Sequence, residues 1–156
     1  MAFTKDASQG STNFAAKDGG RCFVLENNFS FATYNLGSTE TAKLFAIPAR
    51  TFVACVTAEV TTAEGATLTI DVGDFSSAGV AVDADGYLDG VNCNSTSTFV
   101  DSTSMTVVDG SPNDTIDNAY ANGKFYSAAG YIGLLCNNAS ADTAVVKFKA
   151  LCFDMS

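Results

Sequence analysis

Apolar and polar residues alternate with period two from Thr51 to Gly73. Phe52, Ala54, Val56, Ala58 and Val60 share one parity, and Leu68, Ile70 and Val72 repeat it after a short polar stretch. Period two marks a strand with one buried face, because successive side chains of extended backbone point to opposite sides. The two runs predict a hairpin closed over Thr61–Ala66, with Gly65 free to adopt a positive φ. A second clean alternation closes the chain: Ala144, Val146, Phe148, Ala150 and Cys152 fall on one face, and Lys147 and Lys149 on the other.

Shorter runs fill the interval. Cys22–Glu26, Phe29–Tyr34, Ala42–Ile47, Ser97–Val100, Met105–Asp109, Phe125–Ser127 and Tyr131–Cys136 read as strands from their β-branched and aromatic content. Asn27 and Asn28 predict a turn or bulge, Pro48 fixes a turn after the third run, and the NNASAD stretch has the length of a hairpin loop. Phe75–Thr98 and SPNDTIDNAYANG, rich in Gly, Ser, Asp and Asn, read as long contact loops, the first with one helical turn near Asp85–Leu88. Eight to ten short strands with this spacing predict an all-β fold, an antiparallel β-sandwich of jelly-roll-like type. Residues 1–20 form a polar N-terminal arm, and 21–156 a single sandwich domain large enough to bury its own core.

Charge narrows the partners. The net charge is −9, and no Lys or Arg occurs from Thr51 through Gly123, an interval that holds Glu59, Glu64, Asp71, Asp74, Asp83, Asp85, Asp89, Asp101, Asp109, Asp114 and Asp117. Such a surface repels phosphate, so no nucleic acid is expected as a partner. No apolar run approaches the ~20 residues that span a bilayer, and the first residues carry no secretory pattern, so no membrane and no export are expected. Five cysteines, odd in number and never spaced as CxxC, read as reduced structural thiols, and the sequons at Asn28, Asn94 and Asn138 as silent.

Candidate chemistry is sparse. The absence of histidine removes the Ser-His-Asp and Cys-His pairs and the usual neutral-pH base. Paired carboxylates of glycosidase type are too common in so acidic a chain to single out any pair. One acidic motif stands out: Asp83, Asp85 and Asp89 around Gly86 resemble the start of a Ca²⁺ loop, but a third ligand before the glycine and the closing Glu are missing. No phosphate-cradling GxxxxGK[ST] or GxGxxG occurs, so no cofactor is expected and the chain reads as a non-enzyme. In and beside the arm, Phe3, Phe14, Lys17 and Arg21 are the residues expected to contact a partner.

The phrases AKLFAIPART (42–51), AEVTTAEGATLTIDVGD (58–74), DADGYLDGVN (83–92) and ADTAVVKFKALCFDM (141–155) resemble small decoration, or cement, proteins of tailed-bacteriophage heads. The resemblance covers roughly residues 41–156 and carries no catalytic residue. It implies a β-sandwich or jelly-roll module, a homotrimer bound to the major capsid protein on the virion exterior, assembled in the host cytoplasm. The alternatives are a tail-fibre or baseplate module and a carbohydrate-binding sandwich.

Overall fold

The computed structural model describes residues 3, 5–7, 21–65, 67–96, 99–102 and 120–156. In chain order they form β1 (Lys5–Asp6), β2 (Cys22–Ser30), a single helical turn α1 (Phe31–Tyr34), β3 (Thr41–Ile47), β4 (Thr51–Thr62), β5 (Thr69–Ser76) and β6 (Ala81–Asn92). The series continues with β7 (Phe99–Asp101), β8 (Lys124–Tyr126), β9 (Gly130–Cys136) and β10 (Val145–Asp154). One sheet runs β1-β3-β9-β5-β6; the other runs β2-β10-β4-β7, with β8 also on β4. The predicted all-β sandwich is thus what the chain builds.

The order follows from one operation. β2 pairs with β10, β3 with β9, β4 with β7 and β8, and β5 with β6, all antiparallel. These are the rungs of one long antiparallel ribbon whose closed end is the β5–β6 turn at Ser77–Val80. Rolling the ribbon so that alternate rungs fall in opposite sheets gives the jelly-roll-like arrangement and buries one face of each sheet. The interior is built by inward residues of both layers, among them Phe29, Leu44, Val56, Ile70, Ile132 and Phe148, all fully buried.

Rolling explains where the sequence pattern misleads. β4 and β5 do not pair; they are consecutive along one arm of the ribbon and lie in different sheets, so the predicted 51–73 hairpin is a crossover. Gly65 takes no positive φ there. The NNASAD segment likewise crosses from β9 to β10 in the other sheet. Within β4 the parity breaks: Leu151 faces Cys55 and Cys152 faces Val53, leaving Ala54 as a bulge. Thr51 and Val53 therefore point inward with Val56, Ala58 and Val60, while Phe52 turns outward against Phe153 with ring centroids 6.5 Å apart.

Two loop expectations become regular structure. Cys22–Ser30 is one unbroken strand, because buried Asn27 does not turn the chain: its Nδ2 donates to the carbonyls of Ala7 (2.7 Å) and Leu44 (3.0 Å), tying β2 to the facing sheet. Half of the Gly/Asp-rich excursion is β6, a twelve-residue edge strand, and its expected helical turn at Asp85–Leu88 is extended backbone. The helical turn lies instead at α1, stopped by Asn35 in the left-handed region. The expected strand Met105–Asp109 and most of the SPNDTIDNAYANG loop lie outside the described residues.

β6 looks irregular because its backbone bulges toward β5. Between the pairs Val72–Leu88 and Asp74–Asp83, β6 uses five residue steps where β5 uses two. The bulge closes over Gly73, where an added Cβ would overlap the backbone of Asp83 and Ala84. Gly73→Ala is therefore expected to lose about 3 kcal/mol, roughly 10 °C in Tm. Gly65→Ala, with nothing within 4 Å of its Cβ position, is expected to change Tm by no more than about 2 °C. Thermal melts of the two variants side by side check both values.

Candidate functional site

At one end of the sandwich a buried polar cluster joins the layers. Lys124, at the start of β8, directs its Nζ between the Asp74 carboxylate on β5 and the Tyr120 hydroxyl, donating to the former and, at 2.8 Å, to the latter. The ammonium also lies over the Tyr120 ring, 4.2 Å from its centroid, and 5.5 Å from that of Tyr126. Behind it the Tyr87 hydroxyl donates to that of Tyr126 at 3.2 Å. The Tyr120 amide donates to the Gly86 carbonyl at 2.9 Å, an approach that a Cβ on Gly86 would block.

These groups are braced against one another. Burial pulls the Lys124 pKa down, but hydrogen bonding to Asp74 and Tyr120 and the Asp74 charge outweigh it, so the pKa lies above that of an ordinary lysine. Burial raises both Tyr87 and Tyr126 far above the ordinary phenol value. The charged amine is thus fixed, and neither tyrosine ionises near neutral pH. The composition of the sequence conceals this cluster, although Lys124 is the first cation after the long uncompensated acidic interval, and that position was its one signal.

The structure brings part of the acidic motif together. Asp83 and Asp85 share a hydrogen bond, and the Asp83 pKa is raised by burial and then by the bond and charge of Asp85. Asp89 lies further along β6, on the side of Asp71. The latter is a buried carboxylate that accepts from the Gly90 amide (2.8 Å) and from Asn137 Nδ2 (2.7 Å), and whose pKa burial raises. Among the described residues no group of three or more acidic or thiol side chains is placed to hold a metal ion. A further carboxylate that sequence reasoning missed, Glu64, accepts from the amides of Thr143 and Ala144 at 3.1 and 2.9 Å and pins the entry to β10.

Of the expected contact residues, Phe3 lies on the outer face of the five-stranded β1-to-β6 sheet, its ring 4.5 Å from Phe75 and 5.7 Å from Tyr131. Arg21 precedes β2; its carbonyl accepts from the Asp154 amide at 2.7 Å, and its buried Nε has no hydrogen-bond partner among the described residues. Phe14 and Lys17 lie outside the described residues. Exposed apolar side chains gather near the ribbon's closed end: Val80 and Val82, the latter 63% exposed, and Phe125, 51% exposed. Phe125 borders a cleft of about 270 Å³ between Asp74–Ser77 and Lys124–Gly130. Among the described residues, these are the exposed apolar and concave surfaces that adjoin the polar cluster.

Comparison with known proteins agrees with this architecture. A chain of the capsid of Ralstonia phage GP4 superposes with a TM-score of 0.62 at 12% identity, covering 99% of both chains. A chain of the cyanophage Pam1 capsid gives 0.57 at 18% identity, covering 93% of this chain and 94% of the other. A chain of the capsid of the Helicobacter pylori bacteriophage KHP30 gives 0.53 at 14%, covering 94% of each. At these identities the likeness is one of fold. No family profile matches the sequence, and no curated protein is similar enough in sequence to count as a relative.

Two measurements probe Asp74 and Asp83. Removing the amine in Lys124→Met leaves Asp74 enclosed without its cation, and urea unfolding is expected to show a loss of about 3 kcal/mol. For Asp83 the linkage has the opposite sense from a salt-bridged acid. Its raised pKa means the native chain keeps a proton that the unfolded chain has released, so this group's contribution to stability falls as pH rises from the ordinary carboxylate value through the raised one. Asp83→Asn is therefore expected to be more stable than the parent at pH 7, with the gain vanishing below that window.

Proposed function

We propose that this chain is a structural virion protein of a tailed phage, a decoration protein that binds as a homotrimer over junctions of the major capsid protein. It acts from outside the shell and assembles in the host cytoplasm. One observation carries the reading: the fold matches chains of three phage capsids over 93–99% of this chain and 94–99% of theirs, so those chains are modules of this size and layout. The residues agree with it. An acidic body suits a position away from packaged nucleic acid. The thiols of Cys93 and Cys152 are pushed up to about 12 and that of Cys136 to about 11 by burial, so they stay protonated as core side chains in a reducing compartment. Threefold binding multiplies a modest contact into a firm attachment.

The test is addition of the purified chain to heads that lack it, followed by sedimentation. Saturable binding in multiples of three, with a rise in the temperature at which the heads break open, is the expected result. A chain lacking residues 1–20 is expected to remain folded yet not to sediment with the heads. Failure of the full chain to bind heads, together with binding to tails or to a glycan array, would overturn the proposal in favour of a fibre or sugar-binding module.

A further inference from the structure

The N-terminal strand stands outside the logic of the ribbon. Every pairing among β2–β10 is antiparallel, whereas β1 adds to the edge of β3 in parallel, Lys5 opposite Ala42 and Asp6 opposite Lys43. It behaves as a ligand strand added to a finished sheet. Its seat is shaped in advance. The Phe3 ring lies over Gly133, where a Cβ would overlap it, and a Cβ on Gly79, which has φ +74°, would come within 2.9 Å of the ring. The Ala7 amide donates to the Lys43 carbonyl at 2.9 Å, and the Ala7 carbonyl accepts from Asn27 at 2.7 Å. Lys43 Nζ meets the Asp6 carboxylate at 2.7 Å and lies 4.3 Å from the Tyr131 ring centroid.

The tether does not dictate whose seat the strand fills. Ala7 sits beside Asn27, and Arg21 lies six residues back along the same strand, so the gap is about 20 Å at ~3.3 Å per residue. The fourteen steps from Ala7 to Arg21 reach about 46–50 Å when extended. That is more than twice the length needed, enough to cross to an adjacent copy. Exchange keeps every seat contact and turns it into a bond between subunits at no cost in new surface.

We propose that in the assembled protein Phe3–Ala7 of one copy occupies the seat formed by β3, Gly79, Tyr131 and Gly133 of the next, so that three arms close a ring. This deepens the proposed trimeric role and rests on the subunits meeting in threes; head binding tests that role separately.

The Asp6–Lys43 ion pair supplies its own probe, because a zero-length carbodiimide joins a carboxylate and an amine in contact. Equal amounts of ¹⁴N- and ¹⁵N-labelled full-length chain are mixed unfolded, refolded to the native β spectrum, coupled, and digested for mass spectrometry. Exchange predicts that about half of the Asp6–Lys43 linked peptides carry one light and one heavy partner. The Glu26–Lys149 pair, 2.8 Å apart between β2 and β10 of one chain, must stay unmixed and serves as the internal control. Unmixed Asp6–Lys43 peptides, whether the protein elutes as a monomer or a trimer, would overturn the exchange. Head binding that persists in that case would leave the decoration role standing.

Discussion

Mutual burial of two inward sheet faces is the constraint from which the rest of the structure follows. β10 is the spine of one layer. It is bonded to β2 on one side and β4 on the other, and it sends Val146, Phe148, Ala150 and Cys152 into the interior. Each fully buried large side chain of this kind contributes about 1.5–3 kcal/mol, and none can leave without opening both layers. Several of the buried polar groups register one layer on the other. Asn27 bonds across to β3, Glu64 holds the crossover to the start of β10, and Asp74 and Lys124 lock β5 to β8.

Lys124, Asp71, Tyr87 and Tyr126, whose proton affinities are raised, lie in the walls of the sandwich and are hydrogen-bonded to neighbouring groups. Asp74, Lys124 and Tyr126 also border the cleft beside Phe125. Here the outward-facing features are an acidic edge strand, a small apolar tip at Val80 and Val82, and a sheet face sealed by Phe3.

Much of the architecture was legible in the sequence. The alternation in β10 reports its buried face, since a strand whose outer face meets solvent or half-buried neighbours keeps a strict period. β5 was read for Leu68, Ile70 and Val72 but is buried on both faces around Asp71 and Gly73, which alternation does not report. Pairing was not legible, because β4 and β5 look like a hairpin when a ribbon is rolled between them, and the decisive contacts join residues far apart in the chain. β6 was concealed by composition: its Asp and Gly residues serve a bulge over Gly73 and a contact with Tyr120, and they mimic a loop. The Lys124–Asp74 anchor needs two residues fifty positions apart, with no motif between them.

Cryo-electron microscopy of the intact particle, reconstructed with its local symmetry, tests the central claim most directly. The account predicts that density fitting this two-sheet sandwich stands on the outer surface of the head, three copies around each local threefold axis. Density for the sandwich confined to the tail, or a particle whose head carries no such module, would contradict it.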